Sequence, residues 1–401
     1  MEIFSNLKYC IRCCIPETQE GVTFDDFGVC AACRSSEDKM HISWVNRELE
    51  LRKILENVKS NAGDGYDCIL PISGGKDSFY QAHVLVNVYK MKPLAVTFSH
   101  NWYSETGFYN LQRCLQVFGL DHLQFTPSRG LVNKVARKSL LEIGDSCWHC
   151  HAGIGAFPLN VATKFKIPLL IWGESVSESS GRGTHGNPIT KFDRDYFTKV
   201  SAKLTAEEMV DENLSLKDLE PFKLPSYSEI EDTGVWGIHL GDYLFWDEER
   251  QTEWIIKEFG WKETEVEGSY KGYKSAECIM PGMHDLTCYL KRGFGRSTWQ
   301  ASVDVRNGLL TRDEAFELIS QYDQELPEAL DYYLGITGYS KEEFLRIMEQ
   351  KKLPQLKSTV LPLHDKRRKN AEVIKPFVEQ LIDKHLQSGD LRVNRDKNES
   401  K

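Results

Sequence analysis

The sequence predicts an α/β fold built on a doubly wound parallel sheet, with a small metal-stapled module before it and a mainly helical region after it. Three observations carry this prediction. From Tyr66 to about Ser175, short apolar runs alternate with longer segments of helical periodicity, and strands spaced in that way need βαβ crossovers. A glycine turn, Ser73-Gly74-Gly75-Lys76-Asp77-Ser78, joins the first apolar run to the first helical segment. Two Cys-x2-Cys pairs stand close together near the N-terminus.

Taken in order, residues 1–40 read as a zinc ribbon. Cys10-x2-Cys13 and Cys30-x2-Cys33 are separated by 16 residues, a spacing suited to four thiolates around one zinc ion. So short a segment buries too little apolar surface to fold alone, and a structural zinc supplies about 10–16 kcal/mol in small fingers. Four thiolates leave no open coordination position, so the metal is expected to be structural. Residues 41–65 read as a linker helix with Leu51, Ile54, Leu55 and Val58 on one face.

The core is expected over 66–235. Strands are predicted at Cys68–Ile72, Leu94–Phe98, His122–Thr126 and Pro168–Trp172. Helices are predicted at Ser78–Lys90, Thr106–Phe118 (closed by Gly119), Gly130–Glu142 and Ala152–Phe165. The pattern loosens over 176–232, where ESSGRGTHGNP reads as an exposed loop. Residues 236–390 are expected to form a mostly helical, substrate-binding region, with capping boxes at Thr311–Glu314 and Ser340–Glu343. Residues 391–401 read as a polar tail.

Composition bounds the function. Fifty Lys+Arg against 59 Asp+Glu give a net charge of −9, which argues against a general nucleic-acid binder. No apolar run approaches the roughly 20 residues that span a bilayer. The N-terminal MEIFSNLKYCIRCC lacks the apolar segment of a signal peptide, so a cytoplasmic protein is expected. Eleven cysteines in that compartment read as metal ligands or buried thiols rather than disulfides.

The segment Ser73–Ser78 carries the chemistry. Two glycines let the chain turn so that successive amides face one anion, and a helix N-terminus behind them adds positive potential. The hydroxyls of Ser73 and Ser78 can donate to phosphate oxygens, while Asp77 suits an anion site only if Mg2+ bridges it to a polyphosphate. The Walker A pattern is absent. Gly181-x-Gly183-x-x-Gly186 matches a dinucleotide fingerprint but follows no strand, so it reads as chance.

SGGKDS resembles the PP-loop of the ATP pyrophosphatase superfamily, a HUP-like α/β fold. That resemblance implies ATP cleavage between the α and β phosphates, transfer of AMP to a substrate oxygen, and pyrophosphate held by the loop. Three further stretches narrow it: Trp172-Gly173-Glu174, the acidic-aromatic cluster His239-Leu240-Gly241-Asp242-Tyr243 with Trp246-Asp247, and Lys291-Arg292-Gly293-Phe294-Gly295-Arg296, read as a basic glycine-rich loop. With the ribbon, these resemble the N-acetyl sugar amidotransferases of surface-polysaccharide biosynthesis (WbpG and PseA type) over roughly residues 8 to 350. The family resemblance implies conversion of an acetamido group on a nucleotide-linked sugar into an acetamidino group, as in lipopolysaccharide O-antigen or related glycans. It implies ATP, Mg2+ and zinc as cofactors, and ammonia from a separate glutaminase subunit, since no glutaminase motif stands in this chain. On this reading Ser73, Gly74, Gly75, Lys76 and Ser78 hold the polyphosphate and Asp77 takes magnesium. Thr97, Phe98 and Ser99 line the adenosine, and Lys291, Arg292 and Arg296 neutralise the substrate. Asp77, Lys76 and Glu174 form the catalytic group.

Cys147-Trp148-His149-Cys150-His151 leaves alternatives open. The pair reads as reduced thiols shaping a pocket, as two ligands of an iron–sulfur cluster with Cys278 or Cys288 as the third, or as another metal site using His149 or His151. Some tRNA thiolases of the superfamily carry such a pair, which makes them the competing enzyme class. The Lys366-Arg367-Arg368-Lys369 cluster is too short to make an RNA surface. An ATP-sensing zinc-ribbon protein is the non-catalytic alternative.

Overall fold

The computed structural model describes residues 2–179, 189–365 and 374–388. Gly181, Gly183 and Gly186, the Lys366–Lys369 cluster and the tail 391–401 lie outside the described residues.

Five parallel strands form one sheet in the order β3-β2-β1-β4-β5. They are β1 (Cys68–Pro71), β2 (Pro93–Phe98), β3 (His122–Phe125), β4 (Leu169–Trp172) and β5 (Trp236–His239). The register places Cys68 opposite Pro93, Ala95 opposite His122, Ile69 opposite Leu170 and Leu169 opposite Trp236. From β1 the chain winds outward to β3, then returns to β4 on the other side. The crevice between the ends of β1 and β4 is therefore the switch point where such sheets bind ligands. Strand β5 completes an edge from within a segment expected to belong to the C-terminal region, one residue past the expected boundary at 235.

Helices α1 (Ala31–Lys39) and α2 (Trp44–Ala62) precede the sheet. Between strands run α3 (Lys76–His83), α4 (Glu105–Phe118), α5 (Arg129–Ile143) and α6 (Trp148–Phe165). Ser104 caps α4 by accepting from the Gly107 amide, and Gly119 closes it at φ 61°. Helix α3 continues into a π-helical turn, Val84–Val88. Helix α6 begins four residues earlier than its periodicity suggests, so Cys147 is its N-cap and Cys150 lies in its first turn rather than ahead of it. One face of the sheet packs Leu70, Phe79, Leu85 and Leu111; the other packs Ile69, Val96, Leu159 and Leu170. That two-sided burial explains why β1, β2 and β4 read as continuous apolar runs, while the edge strand β3 is half-buried to exposed.

Short helices α7 (Val176–Ser179), α8 (Arg194–Phe197) and α9 (Tyr227–Thr233) lead to β5, followed by α10 (Glu248–Phe259). The C-terminal body consists of α11 (Pro281–Arg292), α12 (Arg296–Arg306), α13 (Arg312–Tyr322), α14 (Ala329–Thr337) and α15 (Lys341–Lys351), with α16 (Phe377–Ser388) beyond. Both expected capping boxes form, at the starts of α13 and α15. The core of this body, including Leu286, Tyr289, Phe316, Tyr333 and Phe344, also takes in Phe4, Leu7, Tyr9 and Cys14 from the N-terminus and Val132, Ala136 and Leu140 from α5. Among the described residues, no helix is long and apolar enough to cross a membrane.

Candidate active site

The loop after β1 is shaped by its own side chains. Gly74 sits at φ +90°, and a Cβ there would lie 2.8 Å from the Gly107 carbonyl oxygen and 2.9 Å from the Leu111 nitrogen, so only glycine fits. Its carbonyl accepts the Trp261 indole N–H at 3.0 Å. The Ser73 hydroxyl accepts from the Gly75 amide at 3.2 Å. The Ser78 hydroxyl accepts from the Ser73 amide at 3.3 Å and donates to the Gly75 carbonyl at 2.9 Å. Gly75 then caps α3, whose first residue is Lys76.

Lys76 is buried, with its ammonium 2.6 Å from Asp77 and 2.9 Å from Glu248. Lys274 pairs with the same Glu248. The carboxylate oxygens of Asp77, Glu174 and Glu248 all lie within 4.8 Å of one another, a spacing that suits a divalent cation. Burial alone would push the Lys76 pKa down, but Asp77, Glu248 and Glu174 outweigh it and raise it. Glu248 is the mirror case: burial raises its pKa, yet Lys274 and Lys76 hold it well below the ordinary range. Glu174 faces the open cleft but is walled by protein; burial first, then the Asp77 charge, pushes its pKa up to about 7. A proton shared among crowded carboxylates is what a cation would displace. Glu248 escapes the sequence reading, which selected Trp246-Asp247; Asp247 instead caps α10 by accepting from the Arg250 amide.

A cavity of about 1000 Å3 opens from this loop. Its lining brings Ser73, Gly75, Lys76, Asp77, Ser78 and Glu174 together with Lys291, Arg292 and Arg296. The last three do not form a loop. Lys291 and Arg292 end α11, Gly293 turns the chain at φ 77°, and Gly295 caps α12, which starts at Arg296. Each is anchored: Lys291 donates to the Ile143 carbonyl at 2.8 Å, Arg292 to the Thr18 carbonyl at 3.2 Å, and Arg296 pairs with Asp285 at 2.7 Å.

Thr97, Phe98 and Ser99, expected to line the adenosine, are not among the residues lining this cavity. All of β2 is buried beneath α6 and between β1 and β3. Thr97 donates to the Ile72 carbonyl at 2.8 Å, Phe98 packs with Trp148 and Phe222, and the Ser99 hydroxyl accepts from the Asn101 amide. The structure adds a group of which the sequence names only His151, as a metal candidate. Asp145 lies 3.2 Å from His151 Nδ1, and His151 meets His284 edge-on at 5.3 Å, all three on the cavity wall. Burial opposes charge on His151, but the Asp145 carboxylate outweighs it and raises the pKa.

Cys10, Cys13, Cys30 and Cys33 are buried, with their sulfur atoms within 4.8 Å of one another. The Cys10–Cys33 and Cys13–Cys30 separations are 3.9 and 3.7 Å. A zinc–sulfur tetrahedron with bonds of about 2.3 Å has edges near that length. Amides of Cys30 and Arg12 donate to Cys10 Sγ at 3.3 and 3.4 Å, as ligating thiolates require. The donor set fits a structural zinc site. Of the two cysteines weighed as a third ligand, Cys278 lies near Cys147 and Cys150 and is bridged to Tyr103, whereas Cys288 on α11 lines the cavity with Lys291. Among the described residues, Cys147 and Cys150 belong to no group of three His, Cys, Asp or Glu whose ligand atoms all lie within 4.8 Å of one another.

Residues 267–362 match the family model described as LPS biosynthesis protein WbpG-like, C-terminal domain. The match covers about a quarter of the chain and is a likeness of that segment. No curated protein matches the chain. The matched segment includes Lys274, Glu277 and α11 through α15, so it supplies part of the wall of the cavity that Ser73 and Asp77 also line. Together with the PP-loop-like parallel sheet and the four-cysteine module, it is consistent with an ATP-using enzyme of the amidotransferase type in sugar or lipopolysaccharide biosynthesis.

Proposed function

We propose that the protein is an ATP-dependent amidotransferase that converts an acetamido group of a nucleotide-linked sugar into an acetamidino group. The observation that carries this reading is that the WbpG-like domain and the Ser73–Ser78 turn open onto one cavity. An amide resists attack by ammonia until its oxygen becomes a good leaving group. The loop amides and Lys76 hold the β and γ phosphates, which leaves the α phosphorus facing the cavity. Asp77, Glu174 and Glu248 would hold a magnesium ion, which neutralises phosphate charge. The amide oxygen bonds to the α phosphorus as the bond to the β-phosphate oxygen breaks and pyrophosphate leaves. Ammonia then adds to the activated carbon, one proton departs, and the carbon–oxygen bond to AMP breaks to give the amidine. Water must be kept from the adenylated amide, which it would otherwise hydrolyse. Ammonia would come from a glutaminase subunit.

The test is release of AMP and pyrophosphate with ATP, ammonium and a panel of acetamido sugar nucleotides, with product mass showing exchange of a carbonyl oxygen for an imine NH. Release driven by RNA instead would favour the thiolase class, and binding without turnover would favour a sensor.

A further inference from the structure

Part of the cavity lining, the second lobe, is not used by the adenylation chemistry. Its walls are the tip of the four-cysteine module, with Ile15, Gln19 and Val22, and the face of α12 that carries Trp299, Val303 and Asn307. Three features meet there. Trp299 stands between the module's core and Phe294, with 5.6 Å between ring centroids, and is still partly open. Gln19 is only 8% exposed, and its Oε1 has no hydrogen-bond partner among the described residues. A buried amide oxygen left unpaired is costly, so such an atom points to an absent partner. Beside them, the Glu20 carboxylate lies 2.8 Å from Lys203 and 3.3 Å from Arg292, so one small anionic group spans both cations.

We propose that this lobe binds the nucleoside diphosphate part of the sugar substrate. The base lies against Trp299 with its edge toward the Gln19 amide, and the diphosphate takes the place of Glu20 between Lys203 and Arg292. This rests on the nucleotide-linked substrate proposed above and adds where the carrier sits. An aromatic base offers a flat apolar face for the indole and a hydrogen-bonding edge that an amide can both donate to and accept from. Ile15, Val22 and Val303 keep water from that edge. The cavity volume, about 1000 Å3, is at the upper end of ordinary ligand pockets and suits two ligands side by side.

The experiment is calorimetric titration of the zinc-loaded full chain with UDP, CDP and GDP, with a non-hydrolysable ATP analogue already saturating. The expected result is that at least one diphosphate binds beside the analogue. Gln19→Leu and Asn307→Ala should each change the preference among bases, and Trp299→Leu should weaken binding about tenfold. Zinc content reports whether each variant keeps its module; Asn307 is exposed, so its variant tests the lobe even if Trp299→Leu disturbs folding. Absence of binding beside the analogue, or variants that bind as the parent does, would overturn the proposal. The two readings fail separately. AMP release with an acetamido sugar bearing no nucleotide would keep the amidotransferase and remove this subsite. AMP release with no sugar at all would remove both.

Discussion

Lys76 joins the phosphate turn to a carboxylate group that only the fold assembles. Its ammonium bridges Asp77, its neighbour in sequence, to Glu248 on α10. Asp77→Ala is therefore expected to abolish AMP formation while leaving bound zinc in place, checked by AMP quantification and elemental analysis. Glu248→Gln should lower AMP formation by at least about tenfold, since it removes a charge that the buried cation needs. Burial, then the Asp77 charge, pushes the Glu174 pKa up to about 7. Its folded pKa is raised, so its contribution to stability is present at low pH and is lost as pH rises through about 7. The stability of Glu174→Gln relative to the parent should accordingly improve across that window, and urea melts without magnesium would read it; an unchanged difference would remove the crowding argument. Asp77 and Lys76 were legible in the sequence because they belong to one local motif. Glu248 was not, because its role comes from a helix brought in from far along the chain.

Elements show the same division between local and distant signals. Four strands and their crossover helices were legible from their alternation and turns; β1, β2 and β4 also bury both faces, whereas the edge strand β3 is half-buried to exposed. Strand β5 was not: Trp236-Gly237-Ile238-His239 has a central glycine and follows a long polar stretch, and only pairing with β4 makes it a strand. Lys291 to Arg296 looked like a loop because its two glycines stand out, yet these close one helix and open the next. Helix α6 began early because Trp148 is fully buried, a tertiary reason that periodicity does not carry. The turn after β1 gives the sharpest test at this scale. Gly74→Ala forces a left-handed backbone and a clash with the Gly107 carbonyl, costing about 1–3 kcal/mol. Lower thermal stability and loss of ATP binding should follow; a variant that binds ATP normally would show that the turn is not the phosphate cradle.

The whole molecule closes its cavity with three parts of the chain. The four-cysteine module lies against the WbpG-like domain through Thr18 on the Arg292 carbonyl, Arg312 on the Cys10 and Cys13 carbonyls, and Ser302 on the Cys14 amide. Tyr9 meets Phe316 edge-on at 5.3 Å. Metal removal is therefore expected to loosen the cavity wall as well as the module. Chelation should lower the melting temperature and abolish sugar-dependent turnover, with one zinc per chain restoring both; turnover that survives complete zinc loss would detach the module from the site. The cysteine spacing made the metal site legible, but not that the module is also a wall, which depends on contacts across nearly the whole chain.

The central claim is that the acetamido oxygen is transferred to the α phosphorus of ATP. The direct measurement uses a sugar nucleotide whose acetamido carbonyl carries a heavy oxygen isotope, with the mass of the AMP read after one turnover. The expected result is AMP carrying the label and an amidine product without it. Unlabelled AMP, or ADP in its place, would contradict the account.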